Sequence, residues 1–179
     1  MRTDGFFIMR PQLYQEGLED MISYINNIRP TSEMRMIEIG SYIGESTMQF
    51  AKHFKEVVSV DPFINDYDPN DAAMTCARFE RVYNMFLYNT LPYTNIKSVR
   101  NKASDAVELL SEYQWDFVYI DGIHTYDAVK EDIQNYKGLI KPGGFLAGHD
   151  YSWDGVRRAV DENCIVDATF KDTSWIVKI

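Results

Sequence analysis

Met36-Ile-Glu-Ile-Gly-Ser-Tyr-Ile-Gly-Glu-Ser-Thr47 begins as an apolar strand, bends through two glycines and runs into a helix; the next apolar run, Val57-Val-Ser-Val-Asp61, stops on a carboxylate. This order is how an open parallel α/β sheet builds a nucleoside pocket. The helix N-terminus faces one end of the ligand, and the carboxylate takes the ribose hydroxyls. A dinucleotide fingerprint needs G-x-G-x-x-G, so that backbone can press against a pyrophosphate. Here only Gly40 and Gly44 are present, as E-x-G-x-x-x-G, which disfavours a nicotinamide-dinucleotide oxidoreductase. Taken singly, both glycines could be plain turn glycines, and Asp61 a turn residue before Pro62. In this order the nucleoside reading is favoured.

Working outward, Leu13, Leu18, Met21, Ile22, Ile25 and Ile28 fall at helical spacing over 12–28, and Arg29-Pro30 ends that helix. Strands are predicted at 35–39, 56–60, 96–99 and 115–121, with helices over about 45–54, 71–89, 104–112, 124–137 and 154–162. The polar, proline-containing stretch 61–70 reads as a loop near the pocket. Lys141-Pro-Gly-Gly144 reads as a turn, after which Phe145–Gly148 begins a fifth strand. Segments 165–170 and 174–179 read as a closing β-hairpin. The fold class is therefore α/β: a Rossmann-like open sheet, mostly parallel, with a C-terminal antiparallel hairpin and helices on both faces. Residues 1–30 form an N-terminal helical segment packing on the core, and 31–179 form the ligand-binding domain. Ligands in such sheets sit beyond the carboxyl ends of the strands. That rule gathers Gly40, Asp61, Ala103-Ser104, Asp121 and His149-Asp150 at one rim.

The chain has 179 residues, enough for one core, with 45% hydrophobic and 25% charged residues. Its net charge of −9 works against nucleic acid and anionic membrane surfaces. Lys52, Lys55, Lys97, Arg100 and Lys102 are the candidates for a local basic patch, but scattered solvated side chains are the plainer reading. Cys76 and Cys164 lack metal-site or redox spacing, so reduced thiols in a cytoplasmic setting are expected. Neither a signal peptide nor a membrane-length apolar run is expected.

The segments IEIGSYIGEST, VVSVDPF, FVYIDGIHTYDAVKEDI, LIKPGGFLAGHDY and WDGVRRAVDE, in this order, resemble class I S-adenosylmethionine (SAM) methyltransferases. Within that class they are most similar to the group containing macrolide and aminocoumarin sugar O-methyltransferases. The resemblance implies SAM as cofactor, held by Glu38, Gly40, Ser41, Gly44, Ser46, Asp61, Ala103 and Ser104. Gly40 would let backbone approach the methionine part. Glu38 would fix the turn or the ligand's ammonium. Ser46 and Thr47 would begin the helix whose N–H groups favour the carboxylate. Asp61 would take the ribose, and Ala103-Ser104 would contact the adenine.

On the acceptor side the resemblance implies a small hydroxylated molecule such as a sugar. His124, three residues after Asp121, is the candidate base, since imidazole titrates near neutral pH. Its plainer reading is a helix-start residue. Asp121 and Asp150 stand where metal-dependent relatives hold Mg²⁺. His149 departs from that pattern, because those relatives carry a carboxylate there and imidazole suits Mn, Fe, Ni or Zn better. Metal-assisted and metal-free transfer both stay open. Tyr42, Phe63, Tyr67, Tyr151 and Trp153 are the candidate aromatic collar. The asparagine-or-aspartate-Pro-Pro-Tyr signature of many amino methyltransferases is absent, so hydroxyl transfer is preferred to amine transfer. A SAM- or nucleotide-binding interaction module without transfer chemistry is the alternative function. The apolar faces of 12–28 and 71–89 would serve either a homodimer contact or the chain's own sheet.

Overall fold

The computed structural model describes residues 2–3, 6–7, 11–65 and 78–179. Arg2–Thr3 (β1) and Phe6–Phe7 (β2) pair antiparallel. Helix α1 spans Gln12–Ile28 and buries Leu18, Met21, Ile22 and Ile25 in the chain's own core. It stops where Arg29 turns extended ahead of Pro30, since a residue before proline is pushed out of the helical region. Arg29 then forms an ion pair with the buried Asp116.

The main sheet contains β3 (Arg35–Ile39), β4 (Glu56–Val60), β5 (Ile96–Val99), β6 (Trp115–Ile120), β7 (Ile140–Gly148), β8 (Ala168–Thr169) and β9 (Trp175–Lys178). Their spatial order is β5-β4-β3-β6-β7-β9-β8. The first five in that order run parallel, and β9 lies antiparallel to both β7 and β8. This is the expected open sheet with its closing hairpin. Winding proceeds outward in both directions from β3, so the gap between β3 and β6 is the point where strand order reverses and a ligand crevice opens.

Alternation along the strands feeds two separate cores. Ile37, Ile39, Val58, Val60, Val118 and Ile120 face one side, under α4 (Ala103–Leu110), α5 (Tyr126–Lys137) and α6 (Asp154–Asn163). Met36, Val57, Phe117, Tyr119 and Phe145 face the other, under α1 and α2 (Glu45–Ala51). All six residues of β6 are buried, as a central parallel strand covered on both faces requires. A smaller cluster of Ile43, Phe63, Phe79, Val82 and Phe86 seats α3 (Phe79–Thr90) against the glycine turn. None of the helices formed by the described residues is long and apolar enough to cross a membrane.

Two expectations meet a different outcome. Lys141-Pro-Gly-Gly144 lies within β7 rather than before it, as a bulge: Trp115 pairs with Ile140, and the next register pair is Phe117 with Phe145. Gly144 sits where a Cβ would come within 2.6 Å of the Asp116 carbonyl, so the bulge presses directly on β6. Of the helix expected over 71–89, Phe79–Thr90 is seen, with Arg78 extended before it, and residues 71–77 lie outside the described residues. Of the expected 61–70 loop, residues 61–65 carry no regular helix or strand, and the remainder is likewise outside the described residues.

Candidate active site

The carboxyl ends of β3 and β6 meet at Gly40. Asp121 donates its N–H to the Ile39 carbonyl at 2.8 Å, and Gly40 donates to Val60 at 2.9 Å. Gly40 has φ of +84°, and a Cβ built there would lie 2.0 Å from the Asp121 carbonyl oxygen. Glycine is needed here because two strand ends of the protein touch, whatever ligand is also present. Gly44, at φ +85°, precedes α2 and packs against Phe86 and Thr90 of α3.

Two buried carboxylates hold this turn. Asp61 accepts the N–H groups of Ser41 and Tyr42, both at 3.0 Å, and of Phe63 at 2.8 Å. Burial pushes its carboxyl up, against the pull of those three donors. Glu38, wholly buried, accepts the hydroxyls of Ser46 and Thr47 and so ties β3 to the first turn of α2. Glu38 and Ser46 therefore bond to each other across the turn. Ser41 buries a hydroxyl that has no hydrogen-bond partner among the described residues.

A cavity opens beside the turn, between the strand ends and helices α4 and α5. Gly40, Asp61, Ala103 and Ser104, four of the residues expected to hold the cofactor, line it. Glu38, Ser41, Gly44 and Ser46 do not line it; they sit in the frame of the turn. Val60, Pro62, Ile123 and Ala128 supply apolar wall, and Glu131 and Asp132 supply acid from α5. These α5 residues escape a reading that looks only at strand ends. A signal did exist: Asp132 is a carboxylate set inside the buried stripe Val129, Ile133, Tyr136.

On the other side of Asp121 lies a cluster of acids and imidazoles. His124 Nε2 is 3.1 Å from Asp150 Oδ2 and 3.8 Å from Asp121 Oδ1. His149 Nδ1 is likewise 3.1 Å from Asp150 Oδ2 and 3.8 Å from Asp121 Oδ1. Burial opposes ionisation of Asp150, but hydrogen bonds from His124 and His149 outweigh it and hold the carboxyl well below the usual carboxylate range. Asp150 has φ of +56°, a left-handed conformation that Asp tolerates better than most residues. Behind His149, the buried Asp172 places Oδ2 3.9 Å from Nε2 and accepts the N–H and hydroxyl of Ser174. His124 precedes α5, whose N-cap is Thr125, accepting from the Ala128 N–H. His124 therefore faces the acids rather than capping the helix.

The ligand atoms of Asp121, His124 and Asp150 all lie within 4.8 Å of one another. Two carboxylates and an imidazole can hold a divalent cation, and this mixed donor set suits Mn²⁺, Fe²⁺ or Zn²⁺ better than Mg²⁺. Of the expected aromatic collar, Trp153 stands with its ring 5.0 Å from His124 and Tyr151 bonds to Asp161. Phe63 instead belongs to the core beside Tyr83 and Phe86. Tyr67 lies outside the described residues. Tyr14 of α1, which periodicity did not single out, sets its ring edge against His149 at 5.3 Å.

A crevice beyond the strand ends, with an acid–imidazole cluster on the other side of Asp121, is an arrangement that can serve a group-transfer enzyme. A family model described as a methyltransferase domain matches residues 37–151, and the chain belongs to that family. It is a SAM-dependent methyltransferase. A search of curated proteins finds no match. Among solved structures the fold is similar to CalS11, a calicheamicin methyltransferase, with TM-score 0.66 and 13% identity over 94% of this chain and 80% of that one. It is also similar to the O-methyltransferase NovP, with TM-score 0.65 and 15% identity over 92% and 79%. A third is the N-methyltransferase NodS of Bradyrhizobium japonicum in complex with S-adenosylhomocysteine, with TM-score 0.61 and 13% identity over 98% and 92%.

Proposed function

We propose that this enzyme transfers the methyl group of SAM to a hydroxyl of a small molecule such as a sugar, with His124 as the base. The observation that carries the reading is the placement of His124 between Asp150 and Asp121, whose backbone also touches the cofactor turn at Gly40. The sulfonium of SAM is already a good electrophile. The protein therefore supplies alignment, removal of the hydroxyl proton and exclusion of water. Asp61 and Ser104 would hold the ribose and base in the cavity, and the methyl group would then face Asp121. Asp150 would orient the His124 ring and stabilise the imidazolium that forms as the hydroxyl proton moves to nitrogen. Trp153 offers a flat apolar face for the acceptor.

The mutual closeness of Asp121, His124 and Asp150 supports a second reading, in which these three hold a divalent cation that binds and acidifies the acceptor hydroxyl. Transfer from labelled SAM to a panel of sugars and phenols separates the two. With His124 as base, His124→Ala lowers kcat by about 10²–10⁴-fold and leaves S-adenosylhomocysteine affinity within about twofold. EDTA then has no effect. In the cation reading EDTA abolishes transfer, Mn²⁺ restores it, and Mn²⁺ alone raises the melting midpoint of wild type but not of Asp150→Ala. Full turnover by His124→Ala in EDTA would sink both.

A further inference from the structure

The turn between β8 and β9, residues 170–174, sits behind the acid–imidazole cluster. Phe170 donates its N–H to the Ser174 carbonyl at 2.8 Å, and Thr173 donates to the Phe170 carbonyl at 2.9 Å. Thr173 has φ of +69°, a region that a β-branched residue enters only under strain. Its carbonyl accepts the N–H of Tyr151 at 3.1 Å, so the turn holds the peptide that follows Asp150, itself left-handed. Asp172 is wholly buried and makes an Asx-type turn, accepting the Ser174 N–H at 3.1 Å and its hydroxyl at 2.8 Å. An Asn side chain would make the same turn without the cost of a buried charge. The charge thus serves more than the turn. Helix α1 leaves room for it: a Cβ on Gly17 would fall 2.4 Å from the Asp172 Cβ and Cγ.

Resting on the methyl-transfer reading, we infer that Asp172 is a positioning residue for the transfer site, acting through His149. The His149 ring stands between two carboxylates, with Nδ1 3.1 Å from Asp150 Oδ2 and Nε2 3.9 Å from Asp172 Oδ2. Each acid favours an N–H on the nitrogen that faces it. A half-turn of the ring would set carbon against both, so the pair of acids selects one orientation. Tyr14 of α1 sets its ring edge at 5.3 Å from the imidazole and limits its swing. With the ring fixed, His149 Nδ1 holds the same Asp150 oxygen that faces His124 Nε2 at 3.1 Å. Asp172 thus sets the direction of the base across two intervening side chains. A displacement of about 1 Å in a reacting group can lower the rate about 10²-fold.

The test records imidazole nitrogen–proton correlation spectra at one pH for the full chain as wild type, Asp172→Asn and Asp172→Ala, beside melting midpoints and transfer from labelled SAM. The chain has three histidines, so one substitution at each identifies its signals. Wild type is expected to show a single set of His149 signals, with an Nε2–H protected from exchange with water. Asp172→Asn keeps the turn and should melt close to wild type. Its His149 ring should nevertheless exchange between orientations, and transfer should slow about 10–100-fold at an unchanged KM for SAM. Asp172→Ala should show the same losses with a lower midpoint. His149 signals identical in wild type and both variants would overturn the assignment, whatever the midpoints do. Altered signals with undiminished transfer would overturn the positioning role, since transfer would then not depend on the ring. A wild type that transfers to no acceptor tested, with altered signals in the variants, would keep Asp172 as the anchor of the ring and remove the methyl-transfer reading instead.

Discussion

At position 40 the requirement for glycine is set by an oxygen atom 2.0 Å from where a methyl group would go. Because that oxygen belongs to the Asp121 backbone, it cannot rotate away as a flexible side chain would. Gly40→Ala must therefore separate β3 from β6 at their ends, and the left-handed φ of +84° adds strain of about 1–2 kcal/mol. The expected outcome is loss of about 3 kcal/mol or more in a urea melt, at the severe end for single substitutions, with S-adenosylhomocysteine binding lost as well. A variant that keeps both its urea midpoint and its ligand affinity would show that the strand ends have more slack than this contact allows.

Among the elements, agreement between sequence and structure is residue for residue where a local rule decides the ends. Helix 12–28 stops at Arg29-Pro30, and strands 35–39, 56–60 and 96–99 are short apolar runs bounded by polar or turn residues. The bulge in β7 was not legible, because Lys141-Pro-Gly-Gly144 carries every local mark of a turn and only pairing with β6 makes it part of a strand. The site divides the same way. Gly40, Asp61 and Asp121 follow from the rule that ligands sit at strand ends. The roles of Asp132, Tyr14 and Asp172 depend on how α1 and α5 lie across the sheet, which periodicity alone does not specify. Helix α1 lies very close: a Cβ on Gly17 would be 2.4 Å from Asp172, whose carboxylate backs His149. Gly17→Ala should push the helix away from that loop at a cost of about 1–3 kcal/mol. Its melting midpoint should fall while S-adenosylhomocysteine affinity, set on the other side of Asp121 in the proposed arrangement, stays within about twofold. Equal losses of stability and cofactor affinity would contradict the separation of α1 from the cofactor side.

For the whole molecule, buried acids of opposite tendency set the response to pH. Asp116 is held low: the Arg35 N–H, Arg29 and Lys141 outweigh its burial. Asp150 is held low by its two imidazoles. Stability from these two is present above the ordinary carboxylate range and is lost as pH falls through their folded-state values. Asp132 and Asp61 have the reverse sign, since burial raises both. The folded state then holds more protons than the unfolded chain from about pH 4 up to about 7 for Asp132, and stability falls across that window. While it lasts, the Asp132 contribution is roughly 1.4 kcal/mol per pH unit. The melting midpoint should therefore decline between about pH 5 and 7.5, and Asp132→Asn should flatten a large part of that decline, gaining several degrees over wild type at the upper end. An Asp132→Asn midpoint that tracks wild type at every pH would mean that this carboxyl ionises as readily folded as unfolded.

The contact between Gly40 and the Asp121 carbonyl also bears on how such an enzyme can be re-engineered. Residues 39–40 and 121–122 form one rigid joint shared by two neighbouring compartments, so they cannot be exchanged as separate modules. A loop graft that imports a new Asp121 segment without its matching glycine turn would bring two incompatible halves together, and the misfit would appear first as lost cofactor. Tyr14 stands on α1, and Tyr151 and Trp153 lie between β7 and α6, outside that joint. If the acceptor lies against His124 and Trp153 as proposed, variation intended to change it is best begun there, with the joint transplanted whole or left alone.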